Sequence, residues 1–158
     1  STLGLLWTVG VVFEVGVFFI IGRFFRRYDA SWMLLIALVS SCLRWAVTAL
    51  FPENLPVMLV AQSAHALGFA AFFAAAMQML ATYFPGRLNG HGQGLLYGFS
   101  SGVGGVLGAL IAGQLWKIDD GRTAFLAGSG FALVGALLCF FALSLPLIRA
   151  RRSAVHAP

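Results

Sequence analysis

Long apolar stretches alternate along this chain with short polar, basic or turn-forming ones, and the apolar stretches have the length of membrane crossings. The first runs from about Leu3 to Gly22, interrupted only by Glu14, and stops at the basic cluster Arg23-Phe-Phe-Arg-Arg27. The second runs from Met33 to Phe51 and carries Arg44. A tight turn, Phe51-Pro-Glu-Asn-Leu-Pro56, leads into a third stretch, Val57 to Phe84, which carries Gln62 and His65. A turn-rich loop at Pro85–Gln93 precedes a glycine-spaced fourth stretch, Gly94 to Trp116. A fifth, Ala124 to Ile148, ends in Arg149-Ala-Arg-Arg152. Each is long enough to cross roughly 30 Å of hydrocarbon as a helix. The pattern predicts an all-α, polytopic membrane helix bundle of five transmembrane helices.

Composition agrees with this pattern and excludes a soluble fold. Hydrophobic residues make up 60% and charged residues 9% of the chain, with a mean hydropathy of +0.92, where a soluble domain has roughly a quarter charged. The net charge of +5 comes from arginines that flank apolar spans, which is an orientation signal and excludes a nucleic-acid partner. Arg23, Arg26, Arg27, Arg87, Arg149, Arg151 and Arg152 lie at one set of span ends, and Lys117 and Arg122 at the other. The positive-inside rule then sets the start of the chain outside and its end in the cytoplasm. Cys42 and Cys139 fall within apolar segments, so neither a disulfide framework nor a metal site is expected. No cofactor is expected either.

The candidate chemistry lies inside the spans. At about 1.5 Å per residue, Arg44 and His65 sit roughly 10 and 13 Å below the surface that carries their shared turn, and Glu14 roughly 16 Å below it. Intramembrane ionisable residues are costly and mark an ion, proton or substrate pathway by default. Taken singly, they also fit a structural ion pair between Glu14 and Arg44 and an interhelical hydrogen bond from His65. Ser40, Arg44 and Thr48 form a polar stripe at four-residue spacing. Gln62, His65, Phe69 and Phe72 share a second face, polar at one end and aromatic at the other. Trp45 points away from Arg44 and reads as packing. In the fourth span Gly94, Gly98, Gly102, Gly105 and Gly113, with the pair Gly104 and Gly108, predict backbone-close packing against neighbours. Gly98-Phe-Ser-Ser-Gly102 also matches the nucleophile elbow of serine hydrolases, but that elbow needs a strained strand-to-helix turn. A non-transporting structural subunit is a further alternative.

Gly4-Leu-Leu-Trp7, Gly10-Val-Val-Phe-Glu-Val15, Phe25-Arg-Arg27, Met33-Leu-Leu-Ile36, Arg44-Trp45 and Gln62-Ser-Ala-His65 resemble the phenylpropionate permease group of the major facilitator superfamily, over nearly the whole chain. The resemblance implies that the five spans are helices eight to twelve of a twelve-helix transporter. Residues 1–152 would then be a partial C-terminal six-helix bundle whose first helix and N-terminal half lie upstream, with 153–158 a disordered tail. It implies residence in a bacterial inner membrane, in contact with lipid, and proton-coupled symport of a small organic solute by alternating access. The solute would be an aromatic acid such as phenylpropionate, with a sugar or nucleoside as the alternative.

The group is similar to lactose permease, whose helices eight, nine and ten carry a Glu, an Arg and a His that serve substrate and proton. Glu14, Arg44 and His65 match those three. The resemblance thus assigns proton coupling to Glu14 and His65, and substrate binding to Arg44 and His65, to which the shared face adds Gln62 and Phe69. Two positions depart from lactose permease: its second Glu, one turn after the His, is Gly68 here, and its Lys, one turn before, is Gln62.

Overall fold

The computed structural model describes residues 2–144, with side chains from Gly4 onward. The expected end of the fifth span, its basic cluster at Arg149–Arg152 and the tail at 153–158 lie outside the described residues. Within them the chain is helical, with five helices long and apolar enough to cross a membrane. They are α1 (Thr2–Phe25), α2 (Ala30–Leu50), α3 (Leu55–Tyr83), α4 (Gly86–Asp119) and α5 (Arg122–Ser144).

Their ends follow local chemistry. Asp29 caps α2 by accepting the Ser31 N–H at 2.8 Å, which starts that helix before the expected Met33. Asn54 caps α3 by accepting the Val57 N–H at 3.2 Å, with Pro56 in the first turn, where a missing N–H costs nothing. Between α4 and α5 the chain turns on Asp120 at φ 53° and Gly121 at φ 105°. There the Trp116 ring occupies the space a Gly121 side chain would need.

Two expectations are corrected. The loop predicted at Pro85–Gln93 is mostly helical, because Gly92 lets the turn close on the Phe84 ring and Leu80, and Gln93 donates to Asn89 at 2.6 Å along the helix. The glycines of α4, moreover, are not its packing seam. Gly94, Gly98, Gly105, Gly108 and Gly113 face open space, and Val106 and Leu110 are about three-fifths exposed. The close seam is α2–α3, where Ala37, Ala70, Ala71 and Ala75 are fully buried and Ser40 donates to the Ala64 carbonyl at 3.3 Å. Small side chains let these two backbones approach, which lipid-embedded helices need because dispersion replaces the hydrophobic effect. Ile21, Met33 and Ala30 complete the same core from α1 and α2. α5 packs along α2, tied by Ser129, whose hydroxyl donates to the Cys42 carbonyl at 2.8 Å.

Neither α3 nor α4 is a regular α-helix. Leu67–Ala71 in α3 and Gly98–Gly104 in α4 are π-helical, with a wider turn than the flanking segments. Such segments are rare and frequently found at functional sites.

Candidate functional site

The candidate polar residues lie on three helices, and α1 meets α3 at Gln62 and His65. Gly10 brings the α1 backbone against α3: a Cβ there would lie 3.7 Å from the Gln62 side-chain oxygen and 3.7 Å from the His65 ring. Glu14, half-buried, follows one turn along α1. Arg44, half-buried, is carried by α2. A Cβ at Gly10 would make ordinary van der Waals contact with Gln62 and His65, so alanine fits the same approach.

Glu14 and Arg44 do not pair directly. Among the described residues no carboxylate lies within ion-pair distance of Arg44, and its Nε is buried without a hydrogen-bond partner. Its guanidinium carbon lies instead 4.1 Å from the centre of the Trp45 ring. This corrects the expectation that Trp45 points away: it packs, as expected, but beneath the cation. Arg44 also lines a groove of about 470 Å³ in the α2–α3 seam, with Ser40, Leu43, Val47, Val60 and Ala64. Thr48 of the polar stripe turns its hydroxyl back onto the Arg44 carbonyl at 2.9 Å.

His65 heads a run of rings. It stacks on Phe69 with centroids 5.6 Å apart, while Phe69 meets Phe73 at 5.0 Å and Phe73 meets Tyr97 of α4 at 5.8 Å with their planes tilted. The expected face placed Phe72 in this run, but Phe72 packs against the α2–α3 core. The π-helical turn explains the change. In an uninterrupted α-helix two four-residue steps drift by about 80°, whereas a wider turn drifts less, so 65, 69 and 73 stay in line. A second run starts at Arg44: Trp45 stacks on Phe125 of α5 at 5.4 Å, which meets Trp116 of α4 edge-on at 5.8 Å.

Of the residues singled out from sequence, Gln62, His65 and Phe69 thus form one face of α3, while Glu14 lies on α1 and Arg44 on α2. Gly10, Phe73 and Tyr97 were missed. The four-residue spacing of Phe69 and Phe73 was visible, but the break in helical period that selects Phe73 over Phe72 was not. Gly68, where lactose permease has a carboxylate, lies on the seam: a Cβ there would come 2.5 Å from the Ser41 hydroxyl. The hydrolase alternative loses its elbow, because Ser100 lies in a helical segment and its hydroxyl donates to the Leu96 carbonyl.

Five helices long and apolar enough to cross a membrane, with an acid, a guanidinium and an imidazole among their residues, fit an integral membrane protein. The model of the MFS_1 like family matches residues 1–127, and the chain belongs to that family, which is major facilitator superfamily-like. No curated protein and no solved structure matches the chain.

Proposed function

We propose that the chain forms helices eight to twelve, in the C-terminal half of a proton-coupled symporter for a small organic acid, an aromatic acid such as phenylpropionate. The observation that carries this reading is the buried Arg44 Nε without a partner among the described residues. A cation inside the membrane without its own carboxylate is poised for one that arrives with the solute. Guanidinium offers a planar fork of donors for it, and a charge-assisted pair is strong where water is excluded. A neutral sugar or nucleoside would leave that charge unmatched.

Glu14 and His65 take the proton. With Glu14 ionised, the site already holds a negative charge near Arg44 and His65, and a second anion is opposed. Protonating Glu14 removes that opposition, so proton and anion bind together. Alternating access then follows from rocking of two six-helix halves about the site, with the upstream half supplying the opposite wall. The membrane is the bacterial inner membrane, with the start of this chain outside and its end in the cytoplasm.

The test is Glu14→Gln in the intact transporter reconstituted in vesicles. It fixes the site in its protonated form, so uphill accumulation driven by a pH gradient is lost while exchange of labelled solute across the membrane persists. Undiminished accumulation would remove Glu14 from the coupling step.

A further inference from the structure

A guanidinium inside a membrane needs something to offset its charge. Arg44 finds no acceptor for its buried Nε among the described residues. The hydroxyls one turn to either side are turned elsewhere: Ser40 donates to the Ala64 carbonyl at 3.3 Å, and Thr48 to the Arg44 carbonyl at 2.9 Å. What lies against the cation is the indole of Trp45, with the guanidinium carbon 4.1 Å from the ring centre. That is well inside the roughly 6 Å over which the negative face of an indole attracts a cation. Trp45 is itself backed by α5. It stacks on Phe125 with centroids 5.4 Å apart, and a Cβ added at Gly128 would come 3.7 Å from the indole. Ser129, next to Gly128, ties α5 to α2 by donating to the Cys42 carbonyl at 2.8 Å. Buttressed in this way the ring is a fixed surface, and it fixes the cation over it.

We propose that Trp45 is a positioning residue for the substrate carboxylate: its ring holds the Arg44 guanidinium in place while leaving the fork of donors free. The chemistry of the two groups allows both contacts at once. A guanidinium stacked on an aromatic face keeps the donors at its edge available, and those are the donors that grip a carboxylate. A resident Asp or Glu would occupy the same fork, and an arriving carboxylate would have to displace it. The ring therefore offsets the charge of the empty site without competing for the donors, and a long, rotamer-rich side chain is ordered before the anion arrives. This rests on the organic-acid reading above and adds to it the residue that prepares the cation.

The experiment uses the intact, purified transporter, with Trp45 alone replaced by tryptophans that carry successively more ring fluorines. Fluorine withdraws charge from the ring face while the side chain keeps nearly its size and shape, so the series weakens the cation contact and leaves the packing in place. The probes are 3-phenylpropionate and the uncharged 3-phenylpropanol. Affinity for the acid is expected to fall step by step along the series, by about two- to tenfold in all, the equivalent of immobilising one such side chain on binding. Affinity for the alcohol stays within about twofold. A purely structural ring would move both probes together or neither. Trp45→Phe, which keeps a weaker aromatic face, is expected to fall between the wild type and Trp45→Leu in acid affinity, and the fluorinated series decides the matter if Trp45→Leu misfolds. Acid affinity that stays flat or rises along the series, or alcohol affinity that falls with it, overturns the positioning role. The two readings fail separately. A wild type that binds the acid no better than the alcohol removes the acid substrate and the role of Trp45 with it, whereas an acid preference that fluorination leaves unchanged removes the role of Trp45 alone.

Discussion

Placing a methyl group at Gly68 tests the α2–α3 seam at its tightest point. A Cβ at Gly68 would lie 2.5 Å from the Ser41 Oγ but 3.6 and 3.7 Å from the Ser41 Cβ and Cα. One hydroxyl oxygen therefore carries the whole clash, and the backbones themselves leave room. Overpacking of this kind costs about 1–3 kcal/mol, and replacing glycine within a helix returns about 0.5–1 kcal/mol. Gly68→Ala alone is thus expected to destabilise the protein by up to about 2 kcal/mol. In a Ser41→Ala background the obstructing atom is gone, the two methyl groups meet at ordinary contact distance, and Gly68→Ala becomes stabilising. The coupling between the two sites is about 1–3 kcal/mol. It is measured by denaturant unfolding of all four variants in detergent, followed by helical circular dichroism. If Gly68→Ala has the same effect with and without the Ser41 hydroxyl, within about 0.5 kcal/mol, the seam is not as close as described. Gly68→Glu is more severe in either background, since the carboxylate has no cavity to enter.

Arg44→Met removes a buried cation that no carboxylate pairs with, and is expected to leave the intact protein as stable as the wild type or more so while abolishing binding of 3-phenylpropionate. A large loss of stability would make Arg44 a structural counter-ion. Arg44→Lys keeps the charge without the planar fork and weakens the same acid about tenfold or more, read by titration. Single cysteines at Asn54 and Gly121 should react with an impermeant reagent from outside, and those at Tyr28 and Asn89 should be protected; the opposite labelling would reverse the orientation.

Hydropathy and span length made the five helices legible, because a bilayer imposes one length on every crossing. The caps at Asp29 and Asn54 were not read from sequence, and Asp29 moved the start of α2 ahead of the expected position. Glu14, Arg44 and His65 stood out because ionisable residues are rare in such sequence, and their common depth followed from counting residues. What side chains do with that depth did not follow. Arg44 turned onto its own neighbour Trp45, a local choice that spacing does not encode. Phe72 and Phe73 could be separated only by a π-helical turn, and glycine or alanine composition does not announce one. The glycines of α4 read as a contact surface, yet in these residues they face open space, since glycine spacing marks where a neighbour fits without supplying it.

Each of the two basic residues in the membrane begins a run of rings, and both runs end on α4. The His65 run reaches Tyr97 and the Arg44 run reaches Trp116. Between those two anchor points lie the seven π-helical residues Gly98–Gly104, which include three glycines and no buried side chain. In mechanical terms α4 is a beam clamped at two points and unsupported between them, with its softest section just inside one clamp. A small change in the angle of either ring run would then bend α4 at Gly98–Gly104.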